Sequence, residues 1–204
     1  MKKAQFNKLL FAALLGSSVV ATMLKTKAQQ TLPSAEGEYL SPAASIATGK
    51  APGMKVRLLS ESGSLKNYSV IFAKGDEVMS GLTDFAKDNG IKSARFTAIG
   101  AFTDATVAWF DDRKKQFKLI PINQQVELVS MVGDIALANG EPAVHTHVAV
   151  ASSDGTVRGG HLIQAHVFPT LELFLTAYPT PLEKKLDEST GLMLIDPSLT
   201  HNAQ

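Results

Sequence analysis

Three histidines late in the chain have the residue type and the spacing of a metal site. His145 and His147 stand two residues apart in PAVHTHVAVA, and His161 follows fourteen residues later in RGGHLIQA, directly after two glycines. Imidazole nitrogen is a good ligand for zinc and neighbouring first-row metals, and three protein ligands with an open fourth position are typical of catalytic zinc, with bonds of about 2.0–2.1 Å. The sequence therefore predicts a metal site at His145, His147 and His161 and leaves its substrate open.

Whether His161 reaches the other two histidines depends on the strand register. Side chains two apart in a strand share a face, so the H-x-H pair projects together. A two-residue turn at Asp154-Gly155 would pair His147 with Leu162 and leave His161 on the wrong face. One extra residue corrects this, either as a β-bulge at Gly159-Gly160 or through a three-residue turn. The alternative is that the strand histidines face solvent and the third is incidental.

A carboxylate in the strand-like run QVELVSMVG is the candidate proton-transfer group. Glu127 shares a face with Val129 and Met131, and an apolar environment raises the pKa of a carboxyl group toward a range useful for catalysis. The alternative is a structural ion pair with a residue such as Arg95. Glu172 presents the same choice.

Two further histidines stand apart from this predicted triad. His166 follows His161 by five residues, an odd separation that places it on the opposite face of a regular strand, and His201 lies in the polar tail. Neither is expected to bind the metal.

The remaining pattern predicts one helix among many short strands. KVRLLS and NYSVIFA are expected to form a hairpin, and Asp76 to cap a helix with an apolar stripe from Val78 to Ala86 that ends at Gly90. Seven β-like runs follow, separated by turn residues and, between the last two, by Pro169. One helix and many strands at hairpin spacing predict an α+β domain on a mainly antiparallel sheet.

The first 28 residues have the order of a secretory signal peptide. A lysine-containing start precedes an apolar stretch from Leu9 to Leu24, and Thr26-Lys27-Ala28 offers a cleavage site after Ala28. The stretch is sixteen residues long, shorter than the roughly 20 that span a bilayer. We therefore expect a periplasmic or secreted product. Its expected parts are a leader at 29–53, a domain at 54–195 and a tail at 196–204.

Composition limits the partners of the exported product. The signal peptide holds five of the 20 basic residues and none of the 19 acidic ones, so its removal leaves 15 and 19, a net charge of −4. Nucleic-acid binding depends on clustered Lys and Arg and is not expected. The chain has no cysteine, so its stability must come from the core, from assembly or from metal rather than from disulfides.

Residues 54–195 resemble the plants and prokaryotes conserved (PPC) domain. The likeness rests on GDEVMSGLTDFAKDNGI, ARFTAIGAF, QVELVSMVGDIA, GEPAVHTHVAVASSDGTVRGGHL and VFPTLELFL, in that order. It implies a compact single α+β domain with a barrel-like antiparallel sheet and one principal helix, assembled as a homotrimer. In plants the domain accompanies AT-hooks in nuclear DNA-binding proteins, but this chain has no Arg-Gly-Arg hook.

The fold is also similar to that of acetolactate decarboxylase. That enzyme binds zinc through an H-x-H pair and a later histidine, a pattern that His145, His147 and His161 match. The resemblance implies zinc at these residues, while a shared fold is weak support for a shared reaction.

Three functions are consistent with these observations. The first is an exported, trimeric module that binds a metal or a small anion near a subunit boundary, with no assigned reaction. The second is a zinc-dependent lyase or hydrolase acting on a small carbonyl or carboxylate compound, with Glu127 as the catalytic group that handles a proton. The third, DNA binding, requires that the chain is not exported.

Overall fold

The computed structural model describes residues 38–44 and 49–199. The predicted signal peptide and the predicted leader residues 29–37 and 45–48 lie outside these residues, as does the end of the predicted tail. In the described part of the chain, no helix is both long enough and apolar enough to cross a membrane. The described elements are β1 (Tyr39–Leu40), β2 (Lys55–Ser62), β3 (Leu65–Ala73), α1 (Val78–Asp88), β4 (Ser93–Asp111), β5 (Gln116–Ile122), β6 (Val126–Ala138), β7 (Glu141–Ala151), β8 (Val157–Ala177), β9 (Lys184–Asp187) and β10 (Leu192–Ile195).

Eight of these strands form one antiparallel sheet that closes on itself. Its order is β1-β5-β4-β6-β7-β8-β3-β2, and the two longest strands, β4 and β8, also pair with each other. Strands β9 and β10 form a separate hairpin. The α+β class with a mainly antiparallel sheet and one helix, predicted from the sequence, is confirmed for the described residues.

One face of the sheet forms the core together with α1. Side chains alternate in direction along a strand, so Val148 and Val150 of β7 are buried while Ala149 between them points to the outer face. The largest fully buried side chains include Phe72, Phe85, Phe96 and Phe102. The core therefore holds the sheet firmly on one side and leaves the other side for ligands or partners.

The helix follows its predicted pattern, but its cap differs. The apolar stripe is buried as predicted. Asp76 is not the cap, because its carboxylate accepts hydrogen bonds from the backbone N–H groups of Gly53 (2.8 Å) and Ala73 (2.9 Å) and so closes the turn after β3. Glu77 is the N-cap, and its carboxylate accepts from the N–H groups of Met79 and Ser80.

Two pairs of predicted strands are continuous in the structure. ARFTAIGAF and ATVAWF both belong to β4, and GHLIQAHVF and LELFLTAY both belong to β8. Pro169 does not end a strand, since it lies where the pairing of β8 with β4 skips from Leu171 to Val167. Proline is tolerated at such an irregularity because no ladder hydrogen bond is required from it.

Candidate metal centre

Strand β7 places His145 and His147 together on the outer face of the sheet. Thr146 between them is buried and donates a hydrogen bond to the carbonyl of Val132 at 3.0 Å. Val148 lies in the core. The prediction that the H-x-H pair projects from one face is confirmed, because the residues on either side of it anchor the strand inward.

Strand β8 brings His161 directly opposite His147. The connection is a three-residue turn, in which the N–H of Ser152 donates to the carbonyl of Thr156 and the N–H of Gly155 donates to the carbonyl of Ser152, both at 2.9 Å. Of the two predicted solutions to the register problem, the three-residue turn is therefore the one found. The glycine pair before His161 continues the ladder without a bulge against β7.

Gly160 has a different purpose in the structure. Its φ is 158°, and a Cβ atom added there would lie 2.6 Å from the carbonyl oxygen of Ala108. Residue 160 must therefore lack a side chain for β8 to approach β4 at this point. The close approach holds His161 in the outer-face register.

The three imidazole rings converge. Ring centroids are 5.3 Å apart for His145 and His147, 5.1 Å for His145 and His161, and 5.5 Å for His147 and His161. One ring nitrogen from each lies within 4.8 Å of the others. Three imidazole nitrogens in one cluster are a donor set that suits zinc, copper, iron or nickel.

Asp134 of β6 supports the cluster from the side. Its carboxylate lies 3.3 Å from Nδ1 of His145, which leaves Nε2 of that ring for a ligand. In metal-binding histidines, the N–H of the ring nitrogen that does not bind the metal commonly donates to a carboxylate in this way. The Nζ atom of Lys184 lies 3.8 Å from the other carboxylate oxygen, an ion pair too long for a hydrogen bond.

The environment favours the neutral form of two of the imidazoles, those of His147 and His161. Burial, together with the nearby His145, His147 and Lys184 charges, lowers the pKa of His161 from 6.5 to about 4. Burial, and then the His145 charge, lowers the pKa of His147. A neutral imidazole has the free electron pair that a metal requires, so both rings are in the binding form at neutral pH.

The pKa values of two charged residues beside the triad, Asp134 and Lys184, are also shifted. Burial opposes the charged form of Asp134, but the hydrogen bond to His145 and the charge of Lys184 outweigh it and lower the pKa of Asp134. Burial lowers the pKa of Lys184, and Asp134 opposes that change. The two groups therefore stabilise each other's charge at the edge of the site.

A cavity of about 690 Å³ opens beside the triad. Phe117 of β5 forms part of its wall and stacks on the His161 ring at 4.9 Å with an interplanar angle of 19°. The β9–β10 hairpin and Pro42 complete the wall. The volume lies within the range of small-molecule sites, about 300–1,000 Å³.

A family model for the Plants and Prokaryotes Conserved (PCC) domain, also abbreviated PPC, matches residues 59–179. The chain belongs to this family. The match includes all three histidines and Asp134, and it ends before the β9–β10 hairpin. The resemblance inferred from the sequence motifs is thereby confirmed for the PPC domain.

Solved structures are similar to the PCC domain of this chain. A plant- and prokaryote-conserved protein from Pyrococcus horikoshii is 30% identical, with 69% of this chain and 100% of that chain covered and a TM-score of 0.61. A metal-containing protein from Archaeoglobus fulgidus is also 30% identical, with 68% and 97% covered and a TM-score of 0.61. A protein from Ralstonia eutropha named as a DNA-binding candidate is 32% identical, with 63% and 90% covered and a TM-score of 0.60. No curated protein matches the chain.

The other predicted site residue lies apart from the triad in the PCC domain. Glu127 is exposed near the start of β6 and pairs with Ala151, whereas His147 pairs with Val132 further along the strand. The predicted apolar environment is wrong, because the register shifts between Leu128 and Ser130. Met131 consequently points into the core, and Glu127 does not share its face. The catalytic role of Glu127 stays a prediction.

His166 is also placed differently from the prediction. Leu162 and Ala165 both lie in the core, so the alternation of β8 shifts by one residue between them. His166 is therefore on the outer face and not across the sheet from His161. Its Nδ1 atom lies 2.8 Å from a carboxylate oxygen of Asp104, and it is not part of the triad.

Sequence reasoning missed two residues of the site. Asp134 could have been found, because the two-residue turn Asn139-Gly140 sets a register that pairs it with His145. Both turn residues have the positive φ values, 53° and 81°, that such a turn requires. Lys184 has no such signal, since it comes from a hairpin that does not pair with the strands of the triad.

Proposed function

We propose that this PCC-domain protein binds a zinc ion through His145, His147 and His161 and presents it to a small ligand. The observation that supports the proposal is the convergence of three imidazoles, one of which has its Nδ1 atom 3.3 Å from the carboxylate of Asp134. The donor set fits zinc, which takes three histidines and keeps a fourth position open. The relative from Archaeoglobus fulgidus is named as a metal-containing protein, which supports metal binding by this chain.

The test is metal content after replacement of one ligand. His147→Ala should reduce bound zinc from about one ion per chain to a small fraction, because two remaining histidines bind zinc far more weakly. His166→Ala is the matched control, since that ring is held by Asp104 away from the triad. Elemental analysis of the purified proteins measures the result. Equal zinc in the wild-type protein and in His147→Ala would refute the proposal.

The cavity beside the triad favours an enzyme as the second candidate function. A zinc-dependent lyase or hydrolase acting on a small carbonyl or carboxylate compound would use the cavity to exclude water around its substrate. Zinc, when bound, supplies a Lewis acid for the substrate oxygen. The protein's own contribution would be to orient His145 through Asp134, to seat His161 against Phe117 and to bind the substrate beside them. The pattern of three histidines that resembles the zinc ligands of acetolactate decarboxylase is a further reason for proposing an enzyme.

Assembly as a homotrimer is part of the proposal. Val132, Thr97 and Phe174 are direct neighbours across β6, β4 and β8 on the outer face, and Val132 also pairs with His147. The exposed fractions of Val132 and Phe174 are 58% and 55%. These three residues form a mainly apolar row, with the hydroxyl of Thr97 between two apolar side chains, and the row begins beside the triad. Such a surface is suited to contact with another subunit, which would place the site near a subunit boundary.

Export is proposed on the order of charge, apolar stretch and small residues at the start of the chain. Mass spectrometry of the protein recovered outside the cytoplasm should give the mass of a chain that begins at Gln29. A cytoplasmic product that retains Met1 would contradict export and would reopen DNA binding, the function for which the relative from Ralstonia eutropha is a named candidate.

A further inference from the structure

The β9–β10 hairpin forms one wall of the cavity beside the histidines. Lys184 of β9 and Leu192–Ile195 of β10 line the cavity together with the triad. The hairpin is attached at the far end of β6, where the N–H of Leu137 donates to the carbonyl of Leu182 at 2.8 Å. These residues follow the 59–179 segment that matches the family, so they add to the site something that the family match does not describe.

Lys184 carries a buried charge with incomplete partners. Its side chain is 7% exposed, and its one ion-pair contact among the described residues is Asp134 at 3.8 Å, beyond hydrogen-bond distance. The facing oxygen of Asp134 is buried without a hydrogen-bond partner among those residues. An ammonium group has three donors, and burying it is costly unless they are used. The Lys184 ammonium therefore has donors left for a hydrogen-bond acceptor that a ligand in the cavity could supply.

Most other side chains of the cavity wall are apolar. Phe110 and Phe117 come from the sheet, Val144 precedes the H-x-H pair, and Leu192 and Leu194 come from the hairpin. The polar side-chain groups among the lining residues are the imidazoles of the triad, the ammonium of Lys184 and the indole N–H of Trp109. The site thus combines one fixed positive charge, a metal-binding cluster and an apolar wall within about 690 Å³.

We propose that Lys184 binds the carboxylate of a small organic acid whose apolar body lies against the hairpin and Phe117. This inference rests on the proposed function, because the acid would bind beside the zinc held by the triad. A single ammonium offers one positive charge and its unused donors, which suit one carboxylate, whereas a phosphate dianion needs more donors. The apolar wall selects against ligands that are polar throughout.

The test is calorimetric titration of the zinc-loaded full chain with 3-methylbutanoate, acetate and the neutral 3-methylbutanamide. We expect 3-methylbutanoate to bind about tenfold more tightly than acetate, because its additional carbon atoms are buried. Lys184→Met and Lys184→Gln should each weaken 3-methylbutanoate binding by about tenfold to a hundredfold. The glutamine variant keeps a donor for Asp134 and so separates loss of charge from loss of folding. Lys185→Met is the matched control, because the next lysine of β9 is exposed.

Each variant is compared at equal zinc content, which is measured separately. Unchanged affinity in both Lys184 variants would overturn the role of Lys184 while leaving the zinc site intact. Equal affinity for the acid and the amide, or no binding of the acid by the wild-type protein, would overturn the carboxylate class. A wild-type protein that takes up no zinc would instead overturn the proposed function, and the same titration of the metal-free protein would then decide whether Lys184 binds the acid alone.

Discussion

The side chains packed around the triad act on its members in different ways. His161 is stacked on Phe117, and burial together with nearby positive charge lowers its pKa to about 4. Asp134 acts differently on His145, because its carboxylate lies 3.3 Å from Nδ1 and leaves Nε2 for a ligand. The triad therefore combines two rings that resist protonation with one ring held in position by a carboxylate.

The lowered pKa of His161 predicts an acid-sensitive metal-free protein. The ring has a pKa of about 6.5 when unfolded and about 4 when folded, so the unfolded state binds more protons between these values. The contribution to stability is complete above about pH 6.5 and is lost as pH falls toward about 4. Between about pH 7 and pH 5 the free energy of unfolding should fall by about 2 kcal/mol from this group.

Urea unfolding of the metal-free protein at these two pH values measures the effect. His161→Phe is the control, because phenylalanine keeps the stacking on Phe117 and does not titrate. The variant should lose about 2 kcal/mol less than the wild-type protein over the same interval. An identical loss in both proteins would show that His161 is not held neutral by the fold.

At the scale of the elements, the site depends on strand registers that differ in how well the sequence specifies them. The H-x-H spacing and the Asn139-Gly140 turn are local, and they place His145, His147 and Asp134 on one face by alternation alone. The Ser152–Thr156 connection left two registers open, because Asp154-Gly155 is compatible with a two-residue turn. The register found, with His161 opposite His147, occurs together with the packing of β8 against β4. No local sequence pattern predicts that packing.

The same limit explains where the predictions about single residues failed. The shifts at Leu128/Ser130 and beside Ile163 each change the alternation by one residue, which moves Glu127 and His166 to faces that regular strands would not give them. Lys184 enters the site through a tertiary contact between β9 and the end of β6. The helix, by contrast, has a local apolar period and was predicted almost to the residue.

The close approach of Gly160 on β8 to Ala108 on β4 predicts that a substitution at Gly160 displaces His161 although none of the three histidines is changed. Gly160→Ala places a Cβ atom 2.6 Å from the Ala108 carbonyl oxygen, so β8 must move away from β4 and carry His161 with it. We expect a loss of about 1–3 kcal/mol in the free energy of unfolding and weaker zinc binding. Denaturant unfolding and competitive zinc titration measure the two effects.

Gly155→Ala is the matched control for Gly160→Ala. Gly155 also has a positive φ, 80°, but a Cβ atom there meets nothing within 4 Å. It should cost about 1 kcal/mol through the backbone alone and leave zinc affinity unchanged. Equal zinc affinity in both alanine variants would contradict a role for the β4–β8 approach in positioning His161.

At the scale of the whole molecule, the two faces of the sheet differ in what covers them. The inner face is covered by α1 and the core side chains. The outer face carries the triad at one end, with the β9–β10 hairpin beside it, and an exposed apolar row from Val132 to Phe174 beyond it. Ile99, two residues beyond Thr97 on β4, extends this apolar surface, and its exposed fraction is 60%. A subunit covering this row would lie next to His147.

The proposed trimer therefore predicts that a charge in the apolar row separates the subunits. Phe174→Asp should weaken association by about a hundredfold or more, because the carboxylate would be buried without a partner. Leu186→Asp is the control, since Leu186 has a similar exposed fraction, 53%, but lies on the separate β9–β10 hairpin. Light scattering at low micromolar concentration should give a trimer for the wild-type protein and the control, and a monomer for Phe174→Asp.

Because Val132 pairs with His147, the monomeric variant should also hold zinc less tightly. A wild-type monomer at that concentration would contradict the trimer, and a monomeric Phe174→Asp protein with unchanged zinc affinity would place the metal site away from the subunit boundary.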